Sequence, residues 1–206
     1  PMWERDSQVA FLSGGPTIDA LTWAGRLDEA VQLATELIEH LGRTWDDYFL
    51  GGIWLAALAI AALADGAEAD RRAGVDPALK VRHGDELLER ARAAAVRGRP
   101  RGGRLGPEGV AWLRRAEAEH ARLAGTADPE LWRRAVEAFS YGYRYEVARS
   151  RWRLAEAYYG TLPVPFTARE LHRVVRLVQL IAYFWALATI EAAGERGPYG
   201  AFAERA

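Results

Sequence analysis

The chain has no cysteine, which excludes a disulfide framework, a thiolate zinc site and a cysteine nucleophile. It fits a reducing, cytoplasmic setting. Only one of its 27 basic residues is a lysine, Lys80, so cationic chemistry is arginine chemistry throughout. Alanine, glycine and arginine are abundant together, as high-GC codon usage produces, and isolated arginines therefore carry little information. Net charge is scarce too: at −1 the chain is no polyelectrolyte binder, and any nucleic-acid contact has to come from a local patch. Alternating β-branched runs bounded by turns are missing, which argues against strands. No charged segment followed by an apolar one opens the chain, so no secretory signal is read. The proline before the first methionine points to a fragment or a trimmed chain.

Catalytic signatures are equally sparse. There is no GxxxxGK[ST] phosphate cradle and no HExxH. No serine lies in a GxSxG context. The four histidines, at positions 40, 83, 120 and 172, are scattered. Glu117 and His120 stand at i and i+3, a spacing that can present two metal ligands, but a carboxylate-bridged metal pair needs a second copy of the motif and none is present. A solvated polar pair is the reading adopted. The sequence therefore predicts a non-enzymatic protein with no metal and no cofactor.

What is present is helical periodicity. In "LDEAVQLATELIEHLG", Leu27, Ala30, Val31, Ala34, Leu37, Ile38 and Leu41 share one face, and Gly42 offers a stop. Punctuation predicts further helices: from Phe11 or Pro16 to Ala24, from Trp45 to about Arg72, from Asp76-Pro77 to about Val96, from Pro107 to Leu123, from Asp128-Pro129 to Phe139, and from Tyr143 to Tyr159. Thr167 with Glu170 forms a capping box for a last long helix to about Ala193. Residues 48–64 are uncharged, but at 17 residues they are short for a membrane span and have no basic anchor, so a buried helix is expected. Residues 177–190 are shorter still, and a buried helix is expected there as well.

About eight or nine helices with short connections make the chain all-α. "LTWAGRLDEA" and "ARLAGTADPELWRRA" both place Ala-Gly at the end of one helix and a fresh helix start soon after. Such helix-turn-helix hairpins stack into solenoids. The segment 20–30 resembles a tetratricopeptide repeat, with Gly25 at the turn and Glu29-Ala30 where the second helix packs on the first. "LGPEGVAWLRRAEAEHARLAG", "DPELWRRAVEAF" and "YGYRYEVARSRWRLAEA" are similar to the helical region of large ATP-binding LuxR-type transcriptional regulators of actinobacteria. The resemblance spans residues 106–157 and extends to 3–65. It implies a tetratricopeptide-like α-solenoid of about three to four hairpins over residues 1–160, continuous with a divergent C-terminal segment at 161–206. It also implies a sensor or scaffold module that binds a protein partner or small effector and acts through a parent ATPase and DNA-binding domain. Neither of those domains is encoded here. "FTARELHRVV" looks like the start of a LuxR-type DNA-binding domain, but no recognition helix follows. A free-standing tetratricopeptide adaptor is the alternative.

Two segments carry candidate binding residues. "RGRPRGGR" holds Arg97, Arg99, Arg101 and Arg104, and an extended Arg-Gly-Arg-Pro can lie in a narrow minor groove, as in an AT-hook. The other reading is an inter-helix loop. "FSYGYRYEVARSRWRLAEAYYG" holds five tyrosines, four arginines and a tryptophan. Tyr145, Ala148, Trp152, Ala155 and Tyr159 follow helical spacing and are expected to form the packing face. Arg149 and Arg153 are expected to snorkel along its edge, with Glu146 offsetting Arg149. Tyr145, Arg149, Trp152 and Arg153 are the candidate groove or rim residues. The eight tryptophans are expected mostly as wedges between helices.

Overall fold

In the computed structural model, the residues described are 6–100 and 102–161, with the side chain of Thr161 left aside. The chain divides into two compact units, Pro1–Thr161 and Leu162–Ala206. The last long helix anticipated from Thr167, the apolar segment 177–190 and the DNA-binding-like segment all fall outside the described residues.

The described residues are all-α. They form α1 (Ser7–Trp23), α2 (Leu27–Thr44), α3 (Gly51–Ala73), α4 (Ala78–Arg97), α5 (Pro107–Leu123), α6 (Pro129–Ala138), a 3-10 turn (Phe139–Tyr141) and α7 (Arg144–Thr161). Helix α1 begins earlier than the apolar pattern implied, because Asp6 caps it: its carboxylate accepts from the Gln8 and Val9 amides at 2.9 and 3.2 Å. Pro16 lies inside this helix rather than opening it. Helix α3 begins later than Trp45. The α2 helix runs on to Thr44, and Asp46 then folds the chain into a turn by accepting from the Tyr48 amide at 2.7 Å. Asp128 accepts from the Glu130 amide at 2.8 Å and, with Pro129 in the first turn, starts α6.

The two Ala-Gly sequences form the same structure. At Ala24-Gly25-Arg26, the Gly25 amide donates to the Thr22 carbonyl and the Arg26 amide to Leu21. At Ala124-Gly125-Thr126, Gly125 donates to Arg122 and Thr126 to Ala121. Gly25 and Gly125 have φ of 75° and 78°. These are paired Schellman ends, in which a left-handed residue lets the last helical carbonyls find donors. A side chain there would be strained.

Helix α3 is the centre. Leu55, Ala57, Ala59, Ile60, Ala62 and Ala64 are fully removed from solvent, and α1, α2, α4 and α5 all pack on it. Its alanines explain how so many neighbours approach it, since small side chains bring helix axes together. Among the described residues it is the one helix long and apolar enough to cross a membrane, yet most of it is buried inside the protein as a core helix. The α2 stripe is buried as the periodicity predicted, with Leu27 only partly so. Close approach also needs Gly15 of α1, where a Cβ would lie 2.0 Å from the Trp54 ring. Each helix packs on its sequence neighbours, and α3 additionally on α1 and α5. A smaller apolar cluster, Ala118, Trp132, Ala135 and Ala157, joins α5, α6 and α7.

Candidate functional site

Helix α7 faces the opposite way from the reading its letters invite. Tyr145 is 54% exposed, and Ala148, Ala155 and Tyr159 are exposed with it. The buried residues are Glu146, Arg149, Ser150, Arg153 and Ala157. Those positions also recur at helical spacing, so α7 has two candidate faces and the polar one turns inward. Arg149 and Arg153 therefore do not snorkel at an aromatic edge. They are the interior of the contact.

Two of the partners are carboxylates far away in sequence, Asp19 and Asp65. Arg149 Nη1 donates to Asp19 of α1 at 2.6 Å. Arg153 donates through Nη2 to Asp65 of α3 at 2.8 Å and through Nη1 to Glu156 at 2.9 Å. Helix α5 supplies the middle of the network. Arg115 Nη1 donates to Glu146 at 2.5 Å, and its Nε lies 3.7 Å from Glu119. Arg122 binds Glu119 at 2.8 Å, Asp65 at 2.7 Å and Glu68 at 3.0 Å, and also donates to the Ala61 carbonyl at 3.1 Å. Glu146 thus serves Arg115 rather than its helical neighbour Arg149. Four helices are tied by ions, and a buried ionic layer of this kind demands near-complete pairing, because an unmatched buried charge is costly.

Burial and pairing compete at each group. Burial alone would raise the Glu119 carboxyl, but Arg122, Arg153 and Arg115 pull it down to about 2. Arg122 is raised: burial opposes its charge, and Glu119, Asp65 and Glu68 outweigh burial. Arg149 is raised too, with Asp19 overcoming desolvation. At Glu146 and Glu156 burial prevails, and both carboxyls sit above their ordinary range despite Arg115 and Arg153 beside them. Burial, helped by the positive charge of Arg149, lowers Arg115.

Trp152, the fourth candidate on α7, is half-buried and stacks on Trp23 of α1, with ring centroids 6.1 Å apart and planes 17° apart. Arg153 lies over the Trp152 ring at 4.6 Å and Arg149 over Trp23 at 5.7 Å. Arg149, Trp152 and Arg153 are therefore brought together, while Tyr145 stands apart on the outer face.

The tryptophans divide in role. Trp112 and Trp132 are buried wedges, whereas Trp23 and Trp45 are exposed. Trp54 and Trp112 lie 6.0 Å apart and, with Phe11, Ile53 and Leu105, wall a cavity of about 1050 Å³. Its exposed lining includes Val110, Arg104 and Glu108. The size falls at the upper end of small-molecule sites, and the aromatic lining with a few polar groups is what such sites use.

The arginine-rich loop is split by the structure. Arg97 is held against Tyr48, donating to its hydroxyl at 2.7 Å and lying 5.2 Å over its ring. Arg99 and Arg104 are exposed. Arg101 lies outside the described residues. Glu117 is engaged by Arg114 at 2.9 Å, and His120 by Asp85 at 2.6 Å, so the i,i+3 pair is used in surface contacts.

Sequence reading missed Asp19, Asp65, Arg115, Glu119 and Arg122. A signal for the α5 members was present: Arg115, Glu119 and Arg122 share a stripe with Ala111 and Ala118, so charges occupy core register. Nothing local marks Asp19 or Asp65, which lie 130 and 88 residues from their α7 partners. In comparison with known proteins, the chain matches no family model, no curated protein and no solved structure.

Proposed function

We propose that this chain is a non-catalytic sensor module that binds a small, mostly apolar effector in the aromatic-walled cavity between α1, α3 and α5. The cavity itself carries the reading: Phe11, Trp54 and Trp112 offer ring faces, and exposed Arg104 and Glu108 offer polar groups to one end of a ligand. A ligand there touches three helices at once and so can bias their packing. In this reading the helices are tetratricopeptide-like hairpins. The matching Schellman turns at Gly25, Gly74 and Gly125 and the packing of α1 and α5 on α3 support that. The module would report on its effector to the ATPase and DNA-binding domains of a LuxR-type regulator, or as an adaptor to a partner protein. An in-frame P-loop motif in the DNA upstream of the coding sequence would favour the regulator.

The binding itself is tested with 1-anilinonaphthalene-8-sulfonate, an aromatic probe with an anionic group for Arg104. One saturable site is expected, and Val110→Trp, which fills the cavity from its exposed side, should weaken the probe about tenfold or more. Non-saturating fluorescence, or binding indifferent to Val110→Trp in a variant with unchanged circular dichroism, would overturn the reading.

A further inference from the structure

A second hollow lies between α2 and α4. Both helices pack on α3 and scarcely touch each other, which leaves an open groove of about 470 Å³ above α3. It shares no residue with the aromatic cavity. Buried Leu63 of α3 and Val31 of α2 form its apolar floor, and Leu79 of α4, 75% exposed, is an apolar wall. The opposite wall, on α2, is polar and consists of Asp28, Gln32, Thr35 and Glu36.

That polar wall offers acceptors. The Gln32 amide nitrogen donates to Glu36 at 2.9 Å, and because a carboxylate cannot donate, the carbonyl oxygen of Gln32 is the end left over. The Thr35 hydroxyl donates its proton to the Val31 carbonyl at 2.9 Å, so its oxygen can only accept. Asp28 and Glu36 pair with no cation among the described residues. The charges around them balance. Lys80, which also lines the groove, is held by Asp70 at 2.5 Å. On α2, Glu29 is paired with Arg26 and Glu39 with Arg43. Arg82 and Glu86, the nearest exposed charges on α4, are opposite in sign. With His83 neutral, the two carboxylates of the α2 wall remain uncompensated.

Asp28 and Glu36 stand a little over two turns apart, a rise of about 12 Å. A ligand that answers both must carry donors and positive charge at its ends and apolar groups between them. We propose that the groove binds a linear polyamine of about the length of spermidine. Extended, spermidine separates its terminal ammoniums by about 11 Å, at about 1.25 Å per bond. Its ends would meet Asp28 and Glu36, its central nitrogen would donate to Gln32 or Thr35, and its methylenes would rest on Val31, Leu63 and Leu79.

Isothermal titration of the full chain at low ionic strength tests the proposal, since salt screens exposed charges. Spermidine should bind at one site. Putrescine, about 6 Å between its nitrogens, reaches only one carboxylate and should bind about fivefold or more weakly. Asp28→Asn and Glu36→Gln should each weaken spermidine about fivefold. Leu79→Arg places a cation on the apolar wall and should abolish binding with circular dichroism unchanged. Glu39→Gln makes the same charge change on the same helix outside the groove and should leave the affinity as it was. No heat with millimolar spermidine, putrescine binding as tightly as spermidine, or an equal loss in Glu39→Gln would overturn the proposal. So would tighter binding of diarginine amide, which has the same charge as spermidine and would mark the groove as a basic-peptide surface.

Discussion

Arg115 of α5 and Glu146 of α7 are bonded at 2.5 Å with both side chains almost wholly withdrawn from solvent. Burial disfavours both ions, raising the carboxyl and lowering the guanidinium. Glu119, one turn along α5 from Arg115, is the contrary case, because three arginines more than offset its burial. Glu119→Gln should therefore be the costlier change, about 3–5 kcal/mol. Glu146→Gln should cost less than half of that, because it removes a carboxylate that is poorly accommodated as an ion. Urea unfolding of the two variants checks the order.

The same contrast sets opposite pH dependences. The folded-state value of Glu119, about 2, lies below the ordinary carboxyl value. Its contribution to stability is then complete above about pH 4.3 and is lost as pH falls towards its folded value. Glu146 is raised, so its contribution is complete below the ordinary value and is lost as pH rises through its folded value. Unfolding free energy measured against pH should flatten on the acid side in Glu119→Gln. In Glu146→Gln it should flatten instead just above the ordinary carboxyl range.

The orientation of α7 predicts which of its residues matter. Tyr145 is on the outer face, and Tyr145→Ala should change stability by no more than about 0.5 kcal/mol. Arg153 is the shared partner of Asp65 and Glu156, and Arg153→Ala should cost about 3 kcal/mol. The reverse order in chemical denaturation would restore the aromatic stripe as the packing face.

At the Schellman turns of Gly25 and Gly125, alanine in place of glycine should cost about 1–2 kcal/mol, because each glycine is left-handed. The two sites differ in surroundings. A Cβ at Gly25 meets nothing within 4 Å, whereas at Gly125 it would lie 3.2 Å from the Arg71 guanidinium carbon. That guanidinium donates to the Leu123 carbonyl. Gly125→Ala should lower the melting temperature more than Gly25→Ala.

The helices themselves were largely legible in the letters. The α2 stripe and the bounds of α5 follow from periodicity and from Pro107, since apolar burial and first-turn proline act locally. Local reading failed where local and distant chemistry compete. The aromatics and arginines of α7 follow the same helical period, and a preference for apolar interiors selects the wrong face. What reverses it is a set of charged partners, carboxylates on α1 and α3 and the Arg115 guanidinium on α5, supplied by residues that no window around α7 contains. The start of α3 was misplaced for a smaller reason of the same kind, because the Asp46 side chain closes a turn where apolar content alone continues a helix.

One oxygen of Asp65 accepts from Arg122 at 2.7 Å and from Arg153 at 2.8 Å. Helices α5 and α7 thus share one acceptor atom of α3, and neither arginine can be released from it without disturbing the charge balance of the other. In a double-mutant cycle, Arg122 and Arg153 should be strongly non-additive. Amides of α7 around Ser150 should exchange with solvent hydrogen as slowly as those of α3, opening with the core rather than as a loose terminal helix.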